Sequence, residues 1–370
     1  MKKLSSWCAA LLMAMLSQAS QADILIGQTA GFTGIAAPGV KEITDGAKLY
    51  INAINARGGV NGQKIDLISM DDKFDPKLAG ENARILIEEE NVVAMFLNRG
   101  TPQTQAIIPL LNRYGVPLIA PSTGAMLLHR PVLKYVFNVR ATYQREAEKV
   151  VAYLTSIGMT RIALVYVDDT FGLDGATGAQ KSLANAKLKP VVFEKFDRAN
   201  PDFSAITPKI VQADAQAIVM VATAGTVLEG IKAFRAAGST AQLVTLSNNA
   251  SLGFVKSLGS NAAGVIISQV FPSERSSSYQ MVREAQEMAK ANGLIQLTPA
   301  TLEGFAAAKV LIEALRRAGV KPTREKIHTA LESFRKFDLG GLEIDYSPTD
   351  HSGLDFADLS IVGADGKFKR

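Results

Sequence analysis

The chain has 370 residues and a formal net charge of +5, a length that supports two domains with large buried interiors. Charges of both signs are mixed along it with no basic run, so nucleic-acid and membrane-surface binding gain no support. Cys8 is the only cysteine, which leaves no basis for a disulfide framework.

Residues 1–22 (MKKLSSWCAALLMAMLSQASQA) carry the parts of a secretory signal. Lys2 and Lys3 supply the positive start, Cys8 to Leu16 form the apolar stretch, and Ser20 and Ala22 are the small residues before a cut at Asp23. The apolar stretch is shorter than the roughly 20 residues needed to span a bilayer. Cleavage removes the only thiol and the two lysines, which takes the net charge from +5 to +3. An exported chain of this kind relies on its core rather than on cross-links.

The mature part opens with an apolar run, ILIGQTA, then a Gly-rich turn, an amphipathic segment ending in Gly58-Gly59, and a second apolar run, KIDLISMDD. This strand–loop–helix–strand pattern predicts a right-handed βαβ unit with its loop at the carboxyl end of the sheet, where open α/β sheets bind ligands. Strand-like runs recur at 92–97, 116–120, 161–167, 190–196, 216–223, 242–246 and 264–271. Between them lie stretches with apolar residues three and four apart, several closed by Gly: Gly115, Gly158, Gly238. Repeated βα units predict parallel sheets covered by helices. One sheet would need too many strands, so the expected fold class is α/β with two doubly wound lobes, one from Ile24 to about Arg140 and one from Arg161 to about Phe271. A late helical block (278–319) is expected to cross back to the first lobe, and hairpin-like strands close the chain. The expected domains are a signal at 1–22, a first lobe of 23–141 with 272–345, and a second of 142–271 with 346–370. A cleft between lobes that closes by hinge motion is the expected ligand site.

Reactive constellations are missing. His129, His328 and His351 are far apart and lack metal-ligand spacing, and there is no G-x-S-x-G elbow or P-loop. GQTAGFTG lacks the G-x-G-x-x-G spacing that a dinucleotide requires. Asp71 and Asp72 are adjacent strand residues, which point to opposite faces. No enzyme activity, metal or cofactor is expected.

The series GQTAGFTG, DGAKLYINAINARGGVNGQKIDL, DDKFDP, GVPLIAPST, VFNVR, RIALVYVDDTFG, FRAAG and DHSGLDFADLSIVGADGKF runs through the mature chain in order. It resembles the exported solute-binding proteins of the leucine/isoleucine/valine-binding type, which feed ATP-binding-cassette importers. The resemblance implies a type I periplasmic binding protein fold with three interlobe crossings, a periplasmic location, a monomer, a small-molecule ligand and a membrane permease as partner. A sensory module read by a membrane receptor would share the fold and stays the alternative.

The resemblance also implies a ligand shell. Thr101 falls where the amino-acid binders hold a ligand carboxylate, Ser122 where they offer backbone groups, and Gly124 where they place a second hydroxyl, which Thr123 could replace. Thr101 and Thr123 could equally cap the helices that follow. Ser247 stands where those binders carry the acid that receives the ligand ammonium. Phe171 keeps an aromatic ring without its hydroxyl, Thr223 replaces a tyrosine, and Gly39 stands in place of another. An ammonium buried without a carboxylate is costly. Either Asp169 or Glu303 moves in, although Asp169 reads as a helix cap and Glu303 as structural, or the ligand is not an ordinary α-amino acid. Arg99 could pair with a ligand acid, with Asp71 or Asp72, or across the cleft on closure. That would suit a dicarboxylate, a keto acid or an aromatic acid. Arg140 and Tyr143 are expected to brace the first crossing.

Overall fold

The computed structural model describes residues 22–293 and 296–370. The expected signal therefore lies, except for Ala22, outside the described residues. No helix among those described is long and apolar enough to cross a membrane.

The first lobe is built from β1 (Ile24–Ala30), α1 (Ala37–Ala56), β2 (Ile65–Asp71), α2 (Pro76–Glu88), β3 (Ala94–Phe96), α3 (Thr101–Tyr114), β4 (Leu118–Ile119) and β5 (Val136–Phe137). The strands form a parallel sheet in the order β2-β1-β3-β4-β5. Its order reverses direction on either side of β1, and such switch points open a crevice at the carboxyl edge. α4 (Tyr143–Ser156) starts the second lobe, followed by β6 (Ile162–Val167), α5 (Thr170–Asn185), β7 (Val192–Phe196), α6 (Ile206–Gln212), β8 (Ala217–Val221), α7 (Ala224–Ala236), β9 (Gln242–Thr245), α8 (Leu252–Leu258) and β10 (Ile266–Gln269). Every residue of β6 and β8 is buried, as expected of parallel strands covered on both faces.

The chain then returns to the first lobe with α9 (Gln280–Ala291), α10 (Pro299–Ala318) and α11 (Arg324–Glu332), and with a two-stranded hairpin of β11 (Phe337–Asp338) and β12 (Glu343–Ile344). It ends in the second sheet as β13 (Asp358–Val362) and β14 (Phe368–Lys369), giving the order β14-β13-β10-β9-β8-β6-β7 with the last two strands antiparallel. Tyr346 and Leu354 still pack in the first lobe's core, and the Tyr346 hydroxyl donates to the Asn138 carbonyl at 2.5 Å. We therefore place the third crossing after Phe356 rather than at residue 346.

α10 is buried on nearly all sides and lies against α1 at unusually close range. A β-carbon on Gly46 would stand 2.0 Å from the Thr301 carbonyl oxygen, and one on Gly304 would stand 1.8 Å from that of Ile43. The two helices touch backbone to backbone because neither residue has a side chain. That contact sets the position of Glu303, one residue before Gly304.

Glu303 enters a buried charge cluster where the lobes meet. Arg140, 2% exposed, pairs with Glu146 of α4 and lies with its Nη1 3.6 Å from Glu303 Oε1. Its Nη2 also donates to Ser247 Oγ at 2.5 Å, and its guanidinium lies 4.9 Å from the centre of the Tyr143 ring. Glu146 further accepts from the Ser247 amide at 2.9 Å and from the Ser268 hydroxyl. Burial works against the Arg140 charge, but Glu303 and Glu146 outweigh it and hold the guanidinium above its ordinary value. One crossing residue is thus bound to acids from both lobes.

Two stability predictions follow from these contacts. Gly304→Ala forces α1 and α10 apart and should cost about 3 kcal/mol or more, the upper part of the range for overpacking, read as a lower urea midpoint. Glu146→Ala leaves a buried guanidinium short of an acid and should cost about 3–5 kcal/mol in the same assay. A midpoint unchanged from the parent would contradict either contact.

Candidate ligand-binding cleft

The first wall of the cleft comes from the loops that leave β3 and β4. Each strand is followed directly by a non-glycine residue with left-handed backbone, Leu97 at φ 53° and Ala120 at φ 54°. Such conformations cost of order 1–3 kcal/mol and persist where surrounding packing enforces them. Here they turn the two loops side by side: the Ser122 amide donates to the Asn98 carbonyl at 2.7 Å, and Arg99 and Ser122 form a parallel bridge. Gly100 has φ 98°, a backbone conformation that strains any side chain placed there.

The loops present Thr101, whose hydroxyl shares a 2.7 Å hydrogen bond with that of Thr123. A hydroxyl has one proton and two lone pairs. An anion beside Thr101 can therefore take its proton while Thr123 donates to Thr101 from behind. Ser122 is committed differently: its hydroxyl donates to Glu303 Oε1 at 2.7 Å and accepts from Arg99 Nη1 at 3.1 Å. Arg99 also reaches across the cleft, donating from Nη2 to the Asn248 carbonyl at 2.5 Å. Two of its five N–H groups are thereby engaged and the others remain for a ligand. Burial pulls the Arg99 guanidinium below its ordinary value, and the Glu303 charge opposes that pull.

The cleft encloses about 290 Å³. On the first lobe its wall continues through Ile35, Pro38, Gly39 and Phe74. Phe74 also has left-handed backbone, at φ 62°. Asp72 holds it there by accepting its amide at 2.9 Å, and Gln103 donates to its carbonyl at 2.6 Å. Burial pushes the Asp72 carboxyl up to about 6, against the hydrogen bonds from Phe74 and Thr29. On the second lobe the wall comprises Phe171, Arg198, Thr223, Leu228, Asn248 and Phe254. The Phe171 ring meets Tyr143 edge-on with centroids 4.9 Å apart, and Arg198 lies 5.6 Å from the Phe74 ring centre on the other lobe.

Of the residues singled out from sequence, Arg99, Thr101, Ser122, Phe171 and Thr223 come together in this wall. Thr123 stands one hydroxyl behind it. Ser247 does not reach it, because Arg140 and Glu146 hold it in the charge cluster beneath. Glu303 is turned into the same cluster, and Asp169 caps α5 while pairing with Arg198. Arg99 bonds neither Asp71, which holds Thr33, nor Asp72; its partner is the opposite lobe. Thr101 is not a cap either, since the capping position of α3 is Gly100. Gly124 has no room for a side chain: a β-carbon would lie 2.6 Å from the Ala141 carbonyl oxygen. Tyr143, which sequence reasoning placed at the hinge alone, also lines the cleft. Phe74, Arg198 and Asn248 were missed. The left-handed turn at Lys73-Phe74 and the loop after β7 carry no local sequence signal that would mark them. Among the described residues no Asp or Glu lines the cleft, and no group of acids or histidines is arranged for a metal.

Comparison with known proteins agrees with this architecture. Residues 23–364 match the family model described as periplasmic binding protein. An amino acid binding protein of Pseudomonas aeruginosa is 27% identical over 55% of this chain and 54% of its own length, so that match spans about half of the relative. The Leu/Ile/Val-binding protein BraC3 of Rhizobium johnstonii is 26% identical over 89% of each chain. Among solved structures, a substrate-binding periplasmic protein from Ralstonia solanacearum is 32% identical, covers 94% of this chain and 99% of its own, and superposes with a TM-score of 0.86. With a family match across nearly the whole described chain and the two-lobed sheet order to support it, the chain belongs to the periplasmic binding protein family, whose members are substrate-binding proteins rather than enzymes.

Proposed function

We propose that this chain is the exported, periplasmic binding component of an ATP-binding-cassette importer and that its ligand is a small carboxylic acid with an apolar body and no α-ammonium group. The observation that carries this reading is the charge of the cleft wall: it contains Arg99 and Arg198 and, among the described residues, no carboxylate. An ammonium enclosed there would have no acid to meet it, a penalty of several kcal/mol even after relaxation. A carboxylate would meet the Thr101 hydroxyl and the free N–H groups of Arg99, and hydrogen bonds to a charged group contribute about 1.5–3 kcal/mol each. Phe74, Phe171, Leu228 and Phe254 supply apolar contact for the rest of the ligand. The volume of about 290 Å³ lies at the lower end of ligand pockets and supports a ligand of amino-acid size. The relatives named for amino acids, and for Leu/Ile/Val in particular, support the size class.

A ligand that binds only the native state raises the melting temperature. After carried-over ligand is removed by unfolding and refolding, 2-oxoisocaproate, benzoate and glutarate should be screened beside L-leucine, L-isoleucine and L-valine. An acid without the amino group is expected to give the largest shift; the largest shift from L-leucine, L-isoleucine or L-valine would overturn the ligand class. Thr101→Ala should weaken the best acid by at least about 10-fold in calorimetric titration, the equivalent of one charged hydrogen bond. Ser247→Asp places its acid against Arg140 rather than in the cleft, so it should not create L-leucine binding. A gain of L-leucine affinity in that variant would contradict the position assigned to Ser247.

A further inference from the structure

The two lobes touch across the cleft, and one of the contacts that join them lies outside its wall. Glu42, on the second turn of α1, accepts the Gly253 amide at 2.9 Å on one carboxylate oxygen and the Leu252 amide at 3.1 Å on the other. Both amides belong to the start of α8, on the opposite lobe. Glu42 is absent from the cleft wall, whereas Ser251, Gly253, Phe254 and Ser257 around its partners are part of it. Beside this contact the two lobes mesh. A β-carbon on Gly253 would stand 2.3 Å from that of Pro38, so the rigid proline ring occupies the space a side chain would need. At the mouth of the cleft, a β-carbon on Gly225 would stand 2.6 Å from Ile35 Cδ1 and 2.9 Å from Ile35 Cγ1. The two glycines lie in the first turns of α8 and α7, and neither has positive φ. Backbone conformation therefore does not explain them. The approach of the other lobe does.

We propose that Glu42 and Gly253 form a closure seam: Glu42 is a positioning residue that docks α8 against α1, and Gly253 is the notch that admits Pro38. This rests on the reading of the chain as a binding protein and adds what sets its closed population. Apparent affinity is the intrinsic affinity scaled by the fraction of molecules in the competent state. A change at Glu42, which lies outside the cleft wall, thus scales the affinity for every ligand by one factor and leaves their rank order alone, unlike a change at Thr101 or Arg99; Gly253 lies in the wall and is tested by closure alone.

The test needs no ligand. With Cys8→Ser, Ile35→Cys and Gly225→Cys form a reporter pair at the mouth. Ile35 Cγ1 is one bond from its β-carbon, so a Gly225 β-carbon 2.9 Å from that atom brings the pair to the separation of about 3.5–4.5 Å that a disulfide requires. Under mild oxidation the pair should cross-link in the ligand-free protein. Adding Gly253→Leu should slow the cross-link at least about 10-fold, because the leucine meets Pro38 before the lobes meet. Adding Glu42→Ala should slow it several-fold, with Glu42→Gln intermediate. Melting temperatures of the reduced proteins should stay at the parent's value, which separates a closure defect from a folding defect. No cross-link in the parent pair would overturn the seam, and an unchanged rate in either variant would remove that residue from it. Failure of the acid screen leaves these rates untouched, and failure of the cross-link leaves the screen's ranking untouched.

Discussion

A guanidinium with 2% exposure has to be surrounded by acceptors, and the need to satisfy Arg140 organises the centre of this molecule. Desolvating one charge costs several kcal/mol, which only well-placed opposite charges and hydrogen bonds offset. The acids that do so come from different lobes, Glu146 from α4 and Glu303 from α10. Glu303 in turn accepts a hydrogen bond from the Ser122 hydroxyl, which itself accepts one from Arg99. Two arginines and two glutamates are thus linked through one hydroxyl from the hinge to the cleft floor. These contacts hold Ser247 and Glu303 away from the cleft wall, while Arg99 keeps N–H groups beyond its bonds to Ser122 and Asn248. We read Ser247 and Glu303 on that ground as part of the scaffold, with the donors of Arg99 and Thr101 left to the cleft wall.

The same economy shapes the rest of the cleft. Asp169 is used by the α5 amides and by Arg198, so the second lobe also offers a cation without a free acid. Asp72 is used by Phe74 and Thr29, which fixes an aromatic ring at the wall instead of an anion. Each carboxylate near the site is assigned to the scaffold. What remains is a small pocket of aromatic and aliphatic surface with cationic and hydroxyl groups on its floor and rim. The Glu42 contact stands outside it, and the meshing of Pro38 with Gly253 and of Ile35 with Gly225 forms its rim.

Much of the fold was legible in the sequence because it depends on local periodicity. The apolar runs at 161–167 and 216–223 contain β6 and β8, and the Gly-closed amphipathic stretches became the covering helices. The βα pattern placed loops after β3 and β4, and the family resemblance singled out Thr101 and Ser122 within them, which line the cleft. Asp169 was legible as a cap because an acid just before a helix serves the helix's own amides. The third crossing was less so. Tyr346 reads as part of a strand but is held in the first lobe by its hydroxyl bond to Asn138, a partner 208 residues away.

The sequence by itself determined the βα alternation, the two lobes and the loops that form the cleft floor, since backbone propensity and apolar spacing act over a few residues. Only the tertiary structure decided which polar groups are free. Whether Ser122, Ser247 or Glu303 can serve a ligand depends on Arg140, which no spacing rule connects to them, and Phe74 reaches the wall through a left-handed turn that its neighbours enforce. The seam is decided in the same way: Gly225 and Gly253 look like ordinary helix glycines until the opposite lobe is brought within contact distance. Occupancy of donors and space is a property of the whole packed molecule, and it is what separates this cleft from a list of its residues.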